Sequence, residues 1–133
     1  MLRVRDQFIE AIMRRFLSIQ IIILVFFAAP LYAGEADVVN VQATKNTTKS
    51  YNFEVTVSHN DTGWDHYADK WEILDEKGII LATRVLLHPH ETEQPFTRGL
   101  SGVEIPDNTK WIQVRAHDVV HGYGGKIMKV NLP

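Results

Sequence analysis

Six side chains in this sequence could do coordination chemistry together: His59, His66, His88, His90, His117 and His121. All six follow residue 58, although the chain has 133 residues. Cysteine is absent, and Met128 is the one methionine after residue 33. There is therefore no thiolate site, no cysteine nucleophile, no disulfide and no cysteine-linked lipid to expect. Imidazole without sulfur suits Zn²⁺, Cu²⁺ or Ni²⁺. His88 and His90 are two residues apart, which places both on one face of an extended strand, the spacing of a two-histidine chelate. Asp61, Asp65 and Asp118 lie close to histidines in sequence. They could act as ligands, or as acceptors that fix an imidazole tautomer.

Other chemistries fit less well. Asp61, Asp65 and Asp69 are spaced by four and lack the ordered Asp-x-Asp-x-Asp-Gly run and closing Glu of an EF-hand. Neither Ser58 nor Ser101 sits in a Gly-x-Ser-x-Gly elbow. The glycines at 122, 124 and 125 are followed by no Lys-Ser/Thr pair. Residues 1–33 hold four of the 14 basic and two of the 16 acidic residues, so residues 34–133 carry a formal charge of −4. A mildly acidic domain is a poor partner for nucleic acid, which selects a basic face.

The elements that must position the histidines read as strands. Tyr51, Phe53, Val55 and Val57 alternate with Asn52, Glu54, Thr56 and Ser58, the period of a half-buried strand. Strands are expected at 36–44, 50–59, 70–75, 79–88, 100–105, 111–117 and 126–132. The turns between them are marked by His59–Gly63, Asp75–Gly78, Pro106–Asn108 and His121–Gly125. About seven short strands in about 100 residues indicate an all-β, single antiparallel β-sandwich, of immunoglobulin or fibronectin type III-like order. In that order the six histidines gather at one end from three chain segments. His59 continues the inward face of its strand. His88, His90 and His117 are expected on the outer face of one sheet, with His66 and His121 in adjacent loops. The expected metal ligands are His66, His88, His90, His117 and His121, for copper(II) or zinc. Taken singly, each histidine is more often structural or exposed than a ligand. Trp71 reads as core, and Trp64 is open to a core or a binding role.

Residues 1–33 read as a signal peptide. Arg3, Arg5, Arg14 and Arg15 precede an apolar run, Phe16–Ala29, which Pro30 breaks before a small residue, Ala33. The run is short for a membrane-spanning helix, which needs about 20 residues. Cleavage after Ala33 would leave residues 34–133, and cleavage after Ala36 residues 37–133, as a periplasmic or secreted domain with no membrane span. Retention of the leader as an anchor is the alternative.

The stretches Trp64–Glu72, Arg84–His90, Gln94–Arg98 and Val114–Asp118 resemble small exported bacterial proteins of unassigned function. That resemblance implies export and one compact domain, and no activity. Two functions are expected from the residues. One is carriage, buffering or delivery of copper or zinc at one end of the sandwich. The other is a non-catalytic interaction module that binds an envelope protein or a glycan through its loops and aromatics. An enzyme ranks below both, because a domain this small offers little room for a substrate cleft.

Overall fold

A computed structural model describes Gln7, Glu10 and residues 34–133. The expected leader lies outside the described residues apart from those two positions. Seven strands form: β1 Asp37–Lys45, β2 Ser50–Ser58, β3 Ala68–Leu74, β4 Ile80–Val85, β5 Phe96–Glu104, β6 Trp111–Asp118 and β7 Met128–Asn131. They make two antiparallel sheets, one in the order β1-β2-β5 and the other in the order β4-β3-β6-β7. Among the described residues, no helix is long and apolar enough to cross a membrane.

Alternation builds the core. Tyr51, Phe53, Val55 and Val57 of β2 are buried, and so are Ile112, Val114 and Ala116 of β6. These two inner faces meet Trp71 and Ile73 of β3, Phe96 and Val103 of β5, and Val38 of β1 in one apolar cluster. Met128, Val130 and Leu132 pack against its margin. Burying a phenylalanine or isoleucine such as Phe53 or Ile73 contributes about 1.5–3 kcal/mol each, so this seam holds the two sheets together. Trp71 is core, as its place in the strand pattern implies, while Trp64 is 66% exposed.

Two stretches depart from the expected strands. Residues 94–105 are not an irregular crossing with a short strand. They contain a nine-residue strand, β5, that accommodates a register shift opposite Tyr51 and Phe53. The strand expected at 79–88 ends at Val85. The chain must pass there from the edge of one sheet (β4) to the edge of the other (β5). Pro89 has no N–H to extend a ladder. The crossing turns Leu86 into the core and leaves Val85 and Leu87 exposed, whereas an outward-facing His88 in a continued strand would require Leu87 to point inward.

Candidate metal centre

The residue just past β2 and the last residue of β6 are polar and keep the inward phase of the strand. His59 follows Val57 by two, and Asp118 follows Ala116 by two. Both point between the sheets where the apolar core stops. The His59 side chain is 1% exposed and that of Asp118 is 0% exposed. The loop between β2 and β3 folds back through a bridge between Gly63 and His66. That fold brings the His66 ring to 4.8 Å from the His59 ring, edge to face.

One nitrogen from each of these histidines and one oxygen of Asp118 lie within 4.8 Å of one another. His59 Nε2 stands 3.8 Å from Asp118 Oδ2, and His66 Nε2 stands 3.4 Å from Asp118 Oδ1. Neither approach is a hydrogen bond: His59 Nε2, His66 Nε2 and Asp118 Oδ2 are all buried without a partner in the protein. An orphaned buried polar atom costs about 1–3 kcal/mol. Three such atoms facing one another form a group that could hold a metal ion. Donors in a tetrahedral zinc site, with bonds of about 2.0–2.2 Å, stand about 3.4 Å apart. The two nitrogen-to-carboxylate separations here, 3.4 and 3.8 Å, are close to that, and the whole set lies within 4.8 Å.

A supporting layer orients the donors. Asp61 is buried and accepts three N–H groups. Its Oδ1 takes His59 Nδ1 at 2.5 Å and the Ala68 amide at 3.0 Å, and its Oδ2 takes the His90 amide at 2.7 Å. When the His59 ring is neutral with its proton shared between Nδ1 and Asp61, the Nε2 lone pair faces Asp118. This is the carboxylate–histidine relay that accompanies metal-binding imidazoles. Asp118 uses Oδ1 to accept the amides of Val120 at 2.8 Å and His121 at 2.7 Å. Burial opposes ionisation of Asp118. The two amides and the neighbouring His59 and His121 outweigh it and hold the carboxyl below its ordinary range. An ionised carboxylate and two neutral imidazoles are the forms that bind a cation.

The other expected ligands are distributed as follows. His121 reaches the same place from the turn after β6, with Nδ1 3.3 Å from Asp118 Oδ1 and its ring 5.0 Å from that of His66. His90 is buried, with Nδ1 3.9 Å from Asp61 Oδ2 and both ring nitrogens without a hydrogen-bond partner. Its ring stacks on Phe96 at 3.9 Å, and burial, Arg98 and His88 press its pKa below the ordinary value. His88 is exposed with Nδ1 3.0 Å from the Pro89 carbonyl. The outer-face grouping of His88, His90 and His117 does not form, because the chain leaves the sheet at Val85. His117 is on the outer face of its strand as expected, but Nδ1 is bound to Asp69 Oδ1 at 2.5 Å and its ring packs on Tyr123. All six histidines do lie in segments that leave or enter the sheets at one end. His59 was absent from the expected ligand set and Asp118 entered the reading as a nearby carboxylate. The strand parity that marks both as inward is present in the sequence.

No protein-family model matches the chain, and no solved structure matches it. A protein of Halomicrobium mukohataei named "Putative lipoprotein" is 43% identical over 97 residues, which are 73% of this chain and 47% of the relative. The chain thus spans about half the length of that relative.

Proposed function

We propose that this protein binds one transition metal ion through His59 Nε2, His66 Nε2 and Asp118, with Asp61 orienting His59. The observation that carries the reading is the set of three buried, unpartnered donor atoms converging on one point. Two imidazoles and a carboxylate favour Zn²⁺ or Cu²⁺ over Mg²⁺ or Ca²⁺, which take oxygen donors. The site sits at the end of a small domain, a setting that suits carriage, buffering or delivery of the ion. Residues 1–33 act as an export leader in this reading, and the metal is met outside the cytoplasm. The relative's name is in keeping with an envelope location. The strand order β1-β2-β5 against β4-β3-β6-β7 supports a fibronectin type III-like sandwich as the carrier.

The test is metal analysis of protein purified without a histidine tag, followed by titration with Zn²⁺ and Cu²⁺. One ion per chain, lost in His59→Ala and in Asp118→Asn, is the expected result. Absence of stoichiometric binding refutes the proposal.

A second reading has its own observation. Trp64 is 66% exposed, Leu87 75% and Val120 57%, all in loops at the histidine-bearing end. Exposed large apolar groups of this kind mark interaction surfaces when they are contiguous. A protein or glycan partner docking there would be lost on Trp64→Ala and retained in the presence of a chelator.

A further inference from the structure

Three donors leave a tetrahedral ion one ligand short. We infer that His121 supplies the fourth ligand from the solvent side, and that the turn carrying it is the door through which the ion enters and leaves. The inference rests on the metal reading of His59, His66 and Asp118.

The argument begins with exposure. Side-chain exposure is 1% for His59, 0% for Asp118, 19% for His66 and 35% for His121. The site is therefore closed on the core side and opens toward His121. The placement of His121 is also built rather than incidental. Asp118 Oδ1 binds the His121 amide, so the carboxylate that serves as a ligand also holds the backbone of the next candidate ligand. Paired hydrogen bonds between Asp118 and Gly122, at 3.0 and 3.1 Å, close the turn. Gly122 has φ of 72°, a left-handed conformation that a side chain would strain. Beyond it, Tyr123 pins the turn to the outer face of the sheet. Its hydroxyl donates to Glu72 Oε1 at 2.8 Å, and the Arg115 guanidinium lies 3.9 Å over its ring.

His121 Nδ1 already stands 3.3 Å from the ligand carboxylate, and the remaining approach is a rotation of an exposed side chain, a motion of ps–ns scale. His90, the other nearby imidazole, is stacked on Phe96, with Nδ1 3.9 Å from Asp61 Oδ2. A ligand that is exposed, rotatable and carried on a turn suits an ion that must be passed on. Three core-side donors give affinity, and the fourth sets the rate of release.

Cobalt(II) is the probe, because its visible absorption is strong in a four-coordinate tetrahedral site and weak with five or six ligands. Full-length protein and His121→Ala would be titrated with Co²⁺, and release to EDTA would be timed. The expected result is one Co²⁺ per chain in both proteins. A strong visible band is expected in both, because water can complete the tetrahedron in the variant, with its position and intensity changed by the exchange of imidazole for water, and release is expected to be about 10–100-fold faster in the variant. Identical spectra and release rates in the two proteins would overturn the role of His121 while leaving the three-ligand site standing. Failure of the parent itself to bind Co²⁺ or Zn²⁺ would overturn both. Tyr123→Phe, which keeps the ring and loses the bond to Glu72, gives a second readout. Faster release with an unchanged spectrum is expected, and a parent-like rate would contradict the anchoring of the turn.

Discussion

Two clusters of histidine and carboxylate lie on opposite faces of the sheet that contains β6, and they differ in completeness. The outer cluster holds His117, Asp69, Glu72, Arg115, Lys70 and Tyr123. Glu72 takes the Tyr123 hydroxyl on Oε1 and Arg115 Nε on Oε2, and Asp69 takes His117. The inner cluster holds His59, His66 and Asp118, and leaves three facing atoms without partners. Both are built from the same residue types. What separates them is whether the polar groups satisfy one another. The outer cluster is complete as it stands and works as a structural clasp. The inner one brings its donors together without a hydrogen bond between them.

The largest expected effect breaks the comparison on the inner side. His59→Ala combined with His66→Ala should lower Zn²⁺ affinity by more than about 100-fold, since loss of a supporting partner alone typically costs 10–100-fold. His117→Ala should leave it within about twofold. Equal losses in the two titrations would erase the distinction between the clusters. Next in size is Asp61→Asn. The amide would present N–H where the structure needs an acceptor for the His90 or Ala68 amide, or for His59 Nδ1. A loss of about 10–100-fold in metal affinity is expected, together with about 1–3 kcal/mol of stability in denaturant unfolding.

On the outer side, Glu72→Gln should cost about 1–2 kcal/mol of stability through its charge-assisted bonds to Arg115, and should not change metal affinity at equilibrium. A change in affinity would mean that the two faces are energetically coupled.

The smallest effect is in the pH dependence of the metal-free protein. Burial opposes ionisation of Glu72, but Tyr123 and Arg115 outweigh it and keep its pKa below the ordinary 4.5. Its contribution is therefore present above pH 4.5 and lost as the pH falls through the lowered value. The His90 pKa lies below its ordinary 6.5, chiefly through burial, so the unfolded chain binds the proton more readily there. Stability should accordingly begin to fall as the pH drops below about 6.5, ahead of the carboxylate phase. His90→Phe, which can keep the stack on Phe96, should remove that first decline in a series of melting temperatures. A variant that keeps the decline would assign it to another histidine.

Much of this was legible in the strand alternation. Tyr51 to Val57 and Ile112 to Ala116 announced two inward faces, and the strand order that follows gathers the histidines at one end. Extending the same period by one step past Val57 and Ala116 reaches His59 and Asp118, the two most deeply buried donors. Sequence places Asp118 among the possible carboxylate ligands and His59 inward but outside the expected ligand set, because an inward polar residue does not declare its partners. The rings of His88 and His90 do meet, 4.6 Å apart, but not on the outer face of the sheet. Their spacing is that of a strand, but the need to cross between sheets ended the strand at Val85, and sequence spacing does not reveal where a crossing begins. His66 and His121 were identified as loop residues. Their meeting depends on the folding back at Gly63 and the turn at Gly122, which are tertiary outcomes.

The central claim is tested most directly by calorimetric titration of the tag-free protein with Zn²⁺, alongside Asp118→Asn and His117→Ala. One ion bound per chain more tightly than about 1 μM, abolished by Asp118→Asn and preserved by His117→Ala, is the predicted result. Absence of binding by the parent, or binding that survives Asp118→Asn unchanged, would contradict the account.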